Sequence, residues 1–318
     1  MLTLGIDWMR RWKHRAVSTG WIAVVFVGVM LLVFGTCLTG FAASIEPVNG
    51  SLAQTSGTVV PERDYFKGPL KVITLNVAHG RKKAFNQILL SWNTIHKNVQ
   101  ETGYVLKATA ADIVALQEAD GPSWWSGHFD HVALLAKVAG FPWYARAGHM
   151  DTWSLHYGTA LLARRPYQET MAHRFKASWP TPAKGFLLGR FGWYPREHIT
   201  QKPTFVDVIS VHLDFSRQSV RARQIEEIRT VLAGRNNPLI ILGDFNSDWL
   251  AEDSVVREMT RQSGLQVYRP EATDLGTYGS QRLDWIVISA DLEFISYAVL
   301  TDEMSDHLGV IAEIGLKP

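Results

Sequence analysis

Short apolar runs rich in β-branched residues, each bordered by a carboxylate, amide or imidazole, set the tightest limit on how this chain can fold. The borders are Asn76 after Ile73-Thr74-Leu75, Glu118 after Ile113 to Gln117, and His212 after Ile209 to Val211. Asp244 and Asn246 follow Ile240 to Gly243, Asp284 precedes Trp285 to Ile288, and Asp306-His307 precedes the run at 308–314. A bounded run of this kind reads as a strand covered on both faces. A polar residue where such a strand emerges packs poorly and is well placed for a site. The residue types gathered in this way suit a hard metal ion and an acid–base pair.

Seven strands are expected, over 70–76, 112–117, 158–163, 205–212, 238–243, 283–288 and 308–314. Helical spacing covers 93–108, 128–139, 217–233 and 252–263, most clearly at 217–233, where Val220, Ile225, Ile228, Val231 and Leu232 share one side. Strands and helices mix without a strict βαβ rhythm, which points to a mixed sheet or a pair of sheets rather than a doubly wound one. No Gly-rich phosphate loop or dinucleotide fingerprint follows a strand. Residues 119–157 and 178–198 read as loops crowded with aromatic side chains. Trp124, Trp125, Trp143, Tyr144 and Trp153 lie in the first, and Trp179, Phe186, Phe191, Trp193 and Tyr194 in the second, beside Lys184, Arg190, Arg196 and His198. Such aromatics either pack the loops onto the core or form a rim for an amphipathic substrate or a membrane surface.

With 47% hydrophobic residues among 318, the chain can bury a large core, and its one cysteine, Cys37, excludes an internal disulfide or a Cys-based zinc site. The net charge of +2 is concentrated at the start, where Arg10, Arg11, Lys13 and Arg15 face Asp7 alone. From position 16 onward there are 28 basic and 29 acidic residues, so the bulk of the chain lacks the positive charge of a dedicated nucleic-acid binder. Residues 16–45 carry no charge, long enough for a membrane-crossing helix of about 20 residues. Basic residues before this segment place the N-terminus in the cytoplasm and the rest outside, in the periplasm if the cell has two membranes. The expected order is a basic tail at 1–20, a transmembrane anchor at 21–43, a linker at 44–69 and one domain at 70–318. A cleaved signal peptide is the rival reading, with Gly40-Phe41-Ala42 before the cut and a secreted product. The linker carries Pro47, Pro61, Pro69, Gly50, Gly57 and Gly68.

In order and spacing, the motifs Leu75-Asn76, Leu116-Gln117-Glu118, His212-Leu213, Gly243-Asp244-Phe245-Asn246, Leu283-Asp284 and Ser305-Asp306-His307 resemble the endonuclease/exonuclease/phosphatase superfamily of metal-dependent phosphoesterases. The resemblance covers residues 70–314. It implies an α/β fold, a four-layer α/β sandwich with two central mixed β-sheets flanked by helices, here preceded by the N-terminal transmembrane helix. It also implies roles. Glu118, helped by Asn76, Asp244 and Asp306, would hold Mg2+, with Mn2+ as the alternative ion. His307 would be the general base, oriented by Asp284. Asp244 would help place the attacking water or a second metal, and Asn246 and His212 would hydrogen-bond the phosphoryl oxygens. Arg221 and Gln224 would order their helix against the site.

Two departures narrow the resemblance. Ala78 stands where abasic-site nucleases of the family carry an acid, and Thr159 where many relatives carry Asn. The expected function is a membrane-tethered phosphoesterase acting on a phosphodiester, with a phospholipid or its head group as the favoured substrate. The alternatives are an extracytoplasmic nuclease acting on DNA or RNA, and a non-catalytic surface protein of the same fold.

Overall fold

The computed structural model describes residues 60–151, 155–196 and 202–318. The tail, the anchor or signal segment and residues 44–59 of the linker lie outside the described residues, as do Trp153 and His198. Among the described residues no helix is long and apolar enough to cross a membrane.

Period-two patterning builds two sheets back to back. In β2 (Leu70–Asn76, counting a short β1 at Phe66–Lys67), Leu70 and Val72 enter one apolar cluster and Ile73 and Leu75 another. β8 (Thr204–His212) divides in the same way, with Val206 and Val208 in the shared cluster and Ile209 and Val211 in a third. Successive strand residues point to opposite faces, so the shared cluster fills the space between two sheets and the other two lie under helices. Helices α1 (Trp92–Thr109) and α2 (His131–Ala139) cover one sheet through Ile95, Val99, Leu106, Val132 and Leu135. Helices α3 (Gln218–Leu232) and α4 (Val255–Ser263) cover the other through Ile228, Val255, Val256 and Met259.

The first sheet contains β2, β3 (Ile113–Asp120), β4 (Trp143–Asp151), β5 (His156–Ala163), β12 (Leu292–Val299) and β13 (Val310–Leu316), in the order β12–β13–β2–β3–β5–β4. The second contains β1, β7 (Gly185–Tyr194), β8, β9 (Leu239–Asp244), β11 (Asp284–Ile288) and β10 (Gln266–Val267), in that spatial order, with β6 (Glu169–Arg174) also on β7. Each sheet has a parallel pair at its centre, β2 with β3 and β8 with β9, between antiparallel neighbours, and the second has another at its edge, β1 with β7. Both sheets are therefore mixed, and the layers run helix, sheet, sheet, helix.

The helices start where the sequence supplies caps. Ser91 accepts from Thr94 N at the start of α1, and Asp130 from Ala133 N at the start of α2. Gly103 lets α1 approach α2, since a Cβ there would lie 2.8 Å from Val138.

Three expectations need correcting. The segment 60–69, expected as linker, is folded: Val60, Tyr65 and Phe66 are buried, and β1 pairs in parallel with β7. The stretch 178–198, expected as a loop, contains β7, an interior strand of its sheet. Phe186, Phe191 and Trp193 are fully buried on it and so are core rather than rim. Its three glycines accommodate close neighbours, because a Cβ on Gly192 would lie 2.4 Å from the Tyr65 ring and one on Gly189 2.9 Å from Tyr167. The stretch 119–157 likewise contains β4, on the edge of the first sheet.

Candidate active site

At one end of the sandwich the space between the sheets turns from apolar to polar. Along the faces that line it, Val72 gives way to Thr74 and Asn76, Ala115 to Gln117, Val208 to Ser210 and His212, Leu242 to Asp244, and Ile286 to Asp284. Strand register then sets His212 beside Asp244 and Asp244 beside Asp284 on three adjacent strands. A buried hydrogen-bonded floor separates these groups from the apolar layer. Thr74 Oγ1 donates to Gln117 Oε1 at 3.3 Å, Gln117 Nε2 to Ser210 Oγ at 3.2 Å, and Ser210 Oγ to Leu116 O at 3.0 Å. Every group in it has a partner, as burial demands.

Two backbone features shape the rim. The β3–β5 register shifts between Gln117 and Ala119, and the extra residue, Glu118, adopts φ 51°. A bulge of this kind re-aims one side chain, here the carboxylate, at a strand end. Gly243 lets β9 lie close to β8, for a Cβ there would stand 2.1 Å from Val211 O. The Gly243→Ala variant is expected to push β9 away, to destabilise the fold by about 1–3 kcal/mol and to reduce activity with it. Urea unfolding and kcat measured together check this, and unchanged values for both would refute it.

Asp284 and His307 form the tightest expected pair, with His307 Nδ1 2.8 Å from Asp284 Oδ2. Asp284 is fully buried and its backbone N donates to Thr277 Oγ1, while Oδ1 has no partner. His307 Nε2 is left facing Asp244 Oδ2 at 4.0 Å. Asn76 donates to Asp244 Oδ2 at 3.0 Å and accepts from Ala78 N, so its amide braces Asp244. Asn246, at φ 48°, donates its backbone N to Asp244 Oδ1 and its Nδ2 to Leu213 O. His212 is buried with Nε2 3.5 Å from Asp244 Oδ2 and 3.9 Å from Glu118 Oε1. Asp306, next to His307, has its carboxylate paired with Arg81 at 2.5 Å and with Ser305. Gln224 accepts from Asp214 N, and Arg221 donates to Asp214 O, tying α3 to the segment just beyond His212.

Two residues join the site that the sequence reading left out of it. Lys184, just before β7, is 5% exposed, with Nζ 3.0 Å from His212 Nε2 and 3.9 Å from Glu118 Oε1. His79 bridges Asp120 Oδ1 at 2.8 Å and Glu118 Oε2 at 3.2 Å. Lys184 gives no signal of its own in the sequence, because glycines interrupt the apolar run of the strand it precedes. His79 is marked in the sequence only by its place three residues after Asn76.

The electrostatics follow from burial and this crowding. Burial alone would raise the Glu118 carboxyl, but His79, Lys184, His212 and His307 outweigh it and hold the group well below the usual carboxylate range. Burial pushes the Lys184 amine down against the pull of Glu118, Asp244 and Asp214. It also drives His212 well below its usual value, reinforced by Lys184, so His212 is neutral. Burial likewise raises the Asp244 carboxyl, and Asp284 adds to it. Burial opposes the His307 proton, yet Asp284, Asp244 and Asp306 prevail and push the imidazole from 6.5 up to about 10. A group raised on folding stabilises fully below its unfolded value and loses that contribution as pH rises through its folded one. In chelator the urea midpoint should therefore fall between pH 7 and about 10, and fall less in His307→Gln. Equal slopes in both proteins would contradict the assignment.

The donors fit a divalent cation. Glu118 is an ionised carboxylate at the mouth of the site, and one ligand atom each from Asp244, Asp284 and His307 lie within 4.8 Å of one another. Carboxylate oxygens on a partly open rim suit a hard ion that keeps several waters.

Residues 73–307 match the Endonuclease/Exonuclease/phosphatase family. No curated protein matches the chain. Among solved structures, an endonuclease/exonuclease/phosphatase from Beutenbergia cavernae is 19% identical with TM-score 0.60, over 78% of this chain and 72% of that one. A mannosyl-6-phosphatase from Bacteroides thetaiotaomicron is 16% identical with TM-score 0.57, over 77% and 99%. Beta toxin from Staphylococcus aureus, a mutant with bound magnesium ions, is 15% identical with TM-score 0.52, over 77% and 99%. At these identities the likeness is one of fold.

Proposed function

Since the chain belongs to the endonuclease/exonuclease/phosphatase family, whose members act on phosphoesters, we propose that it is a divalent-metal-dependent hydrolase of a phosphodiester, using water activated by His307. The observation that carries this reading is the Asp284–His307 pair, aimed across Asp244 at a rim that holds Glu118.

Asp284 anchors His307 Nδ1, so Nε2 is the atom that takes a proton from water. The water oxygen forms a bond to phosphorus, the ester P–O bond opposite breaks, and the proton lost by water resides on Nε2. The departing oxygen takes a proton from solvent, the proton on Nε2 returns to solvent, and the products are a phosphate monoester and an alcohol. Asp244, braced by Asn76 and the Asn246 backbone, orients the water. Lys184 and the neutral His212 present N–H donors to the phosphoryl oxygens as charge develops there, in a buried setting where such donors act strongly. A divalent cation held by Glu118 would polarise a phosphoryl oxygen and, as positive charge near the carboxylates, oppose the proton on His307.

For the substrate we favour a phospholipid or its head-group diester, on a protein tethered outside the cytoplasm by the uncharged segment at 16–45. Phe85, Leu89, Trp92 and Trp124 support this, being exposed on the segments that follow Asn76 and Glu118. Trp92 packs against His128, which brings the two segments together. The second reading, a nuclease, draws on Lys184 and Arg81 at the site. The full-length protein, assayed in detergent with Mg2+ or Mn2+ on sphingomyelin, mixed phospholipids, plasmid DNA and p-nitrophenyl phosphate, separates the two. Lipid turnover above the others is the expected result. DNA cleavage that falls steeply with salt, as released counterions require, would replace the lipid reading with the nuclease.

A further inference from the structure

We propose that His79 is itself a ligand of the cation that Glu118 holds, with Asp120 fixing its tautomer, so that the site is a mixed nitrogen–oxygen one. The inference rests on the reading of Glu118 as a metal ligand. Of the other oxygen donors expected there, Asn76 spends its amide on Asp244 and on Ala78 N, Asp244 accepts from Asn76 and from Asn246 N, and Asp306 is held by Arg81. Of the nitrogens paired with Glu118, Nε2 of His79 is the nearest, 3.2 Å from Oε2, against 3.9 Å from Oε1 for His212 Nε2 and Lys184 Nζ. Two neighbouring ligands on one octahedral ion, each about 2.1 Å from it, lie about 3 Å apart. His79 and Glu118 are thus already at chelating separation.

The far side of the ring completes the arrangement. Nδ1 lies 2.8 Å from Oδ1 of Asp120, a fully buried carboxylate. When Nδ1–H donates to that carboxylate, the lone pair resides on Nε2, the nitrogen that faces Glu118. A histidine that binds a metal through one nitrogen characteristically donates its other N–H to a carboxylate in this way. Trp125 and Tyr157 both meet the ring near-perpendicularly, with interplanar angles of 87° and 83°. Imidazole suits first-row transition ions better than it suits Mg2+, which prefers oxygen. His79 thereby tilts the site toward Mn2+ relative to an all-oxygen one. The plain alternative is an imidazolium ion-paired to both carboxylates, and it predicts no metal–nitrogen bond.

Full-length protein loaded with Mn2+ and studied by pulsed electron paramagnetic resonance distinguishes these. The expected result is a nitrogen coupling typical of directly bound imidazole, lost in His79→Gln. Mn2+ affinity should fall by about 10–100-fold in His79→Gln and by about tenfold in Asp120→Asn. Mg2+ affinity should fall less, so that the preference for Mn2+ shrinks. No coupling in the wild type, or an unchanged coupling and Mn2+ affinity in folded His79→Gln, would overturn the proposal. If His79→Gln does not fold, Asp120→Asn decides, and wild-type Mn2+ affinity there overturns it. Glu118→Gln keeps the two levels apart. Undiminished Mn2+ binding in that variant removes Glu118 as a ligand, whereas binding lost there but intact in His79→Gln removes only His79.

Discussion

His307→Ala is expected to lower kcat on a phosphodiester by about 10²–10⁴-fold, the range a general acid–base group supplies, with little change in KM. The ring is anchored at Nδ1 by a fully buried Asp284, and only Nε2 reaches toward Asp244. Removing the imidazole takes away the proton acceptor but leaves Lys184 and His212 in place to bind the phosphate and Glu118 to hold the cation. Asp284→Asn should cost activity through orientation rather than chemistry. An amide can present N–H to Nδ1 and so favour the tautomer with its proton on Nε2, where a proton must be accepted. Single-turnover rates for the two variants check this. A His307→Ala enzyme within about twofold of wild type would remove His307 from the reaction, since acid–base roles are worth far more.

The second large effect belongs to Glu118. Glu118→Gln is nearly isosteric, yet it deletes the negative charge that His79, Lys184 and His212 surround. Cation affinity should fall together with turnover, by at least about 10²-fold at low Mg2+ or Mn2+. Stability should also fall, because Glu118 is a counter-charge to the buried Lys184. Thermal unfolding with and without divalent cation gives a readout that needs no substrate. A ligand that binds only the folded state raises the midpoint, so wild type should shift and Glu118→Gln should not. Equal shifts in both would move the cation to the Asp244, Asp284 and His307 group.

Most of the sandwich was legible because its strands carry their own signal. β2 begins and ends where the apolar run does, and β8, β9 and β11 differ from expectation by a residue or so at their ends. Those are interior strands, covered on both faces, so β-branched runs mark them. The strands that escaped are of two kinds. β4, β6 and β12 lie at or near sheet edges, where partial exposure dilutes the pattern. β7 is interior but carries Gly185, Gly189 and Gly192, which break up its apolar run although each lets a neighbour come close. Losing β7 also cost the site Lys184.

The site itself was legible to the extent that strand ends define it. Register alone unites His212, Asp244 and Asp284, and period two puts Asn76 on the same face. What the strand pattern cannot convey is the second partner of each group. Asp306 follows the same motif logic as His307, but Arg81, more than two hundred residues earlier, claims its carboxylate. His79 lies on a short turn with φ 54°, outside any periodic element, and only the folded chain brings it against Glu118 and Asp120.

The most direct test is hydrolysis of bis(p-nitrophenyl) phosphate by the full-length protein in ¹⁸O-labelled water, with a divalent cation and again with chelator. Metal-dependent attack of water on phosphorus predicts turnover that chelator abolishes, and a single ¹⁸O in the p-nitrophenyl phosphate released. Turnover that survives chelator, or folded, cation-loaded protein that cleaves neither this diester nor any natural one, would contradict it.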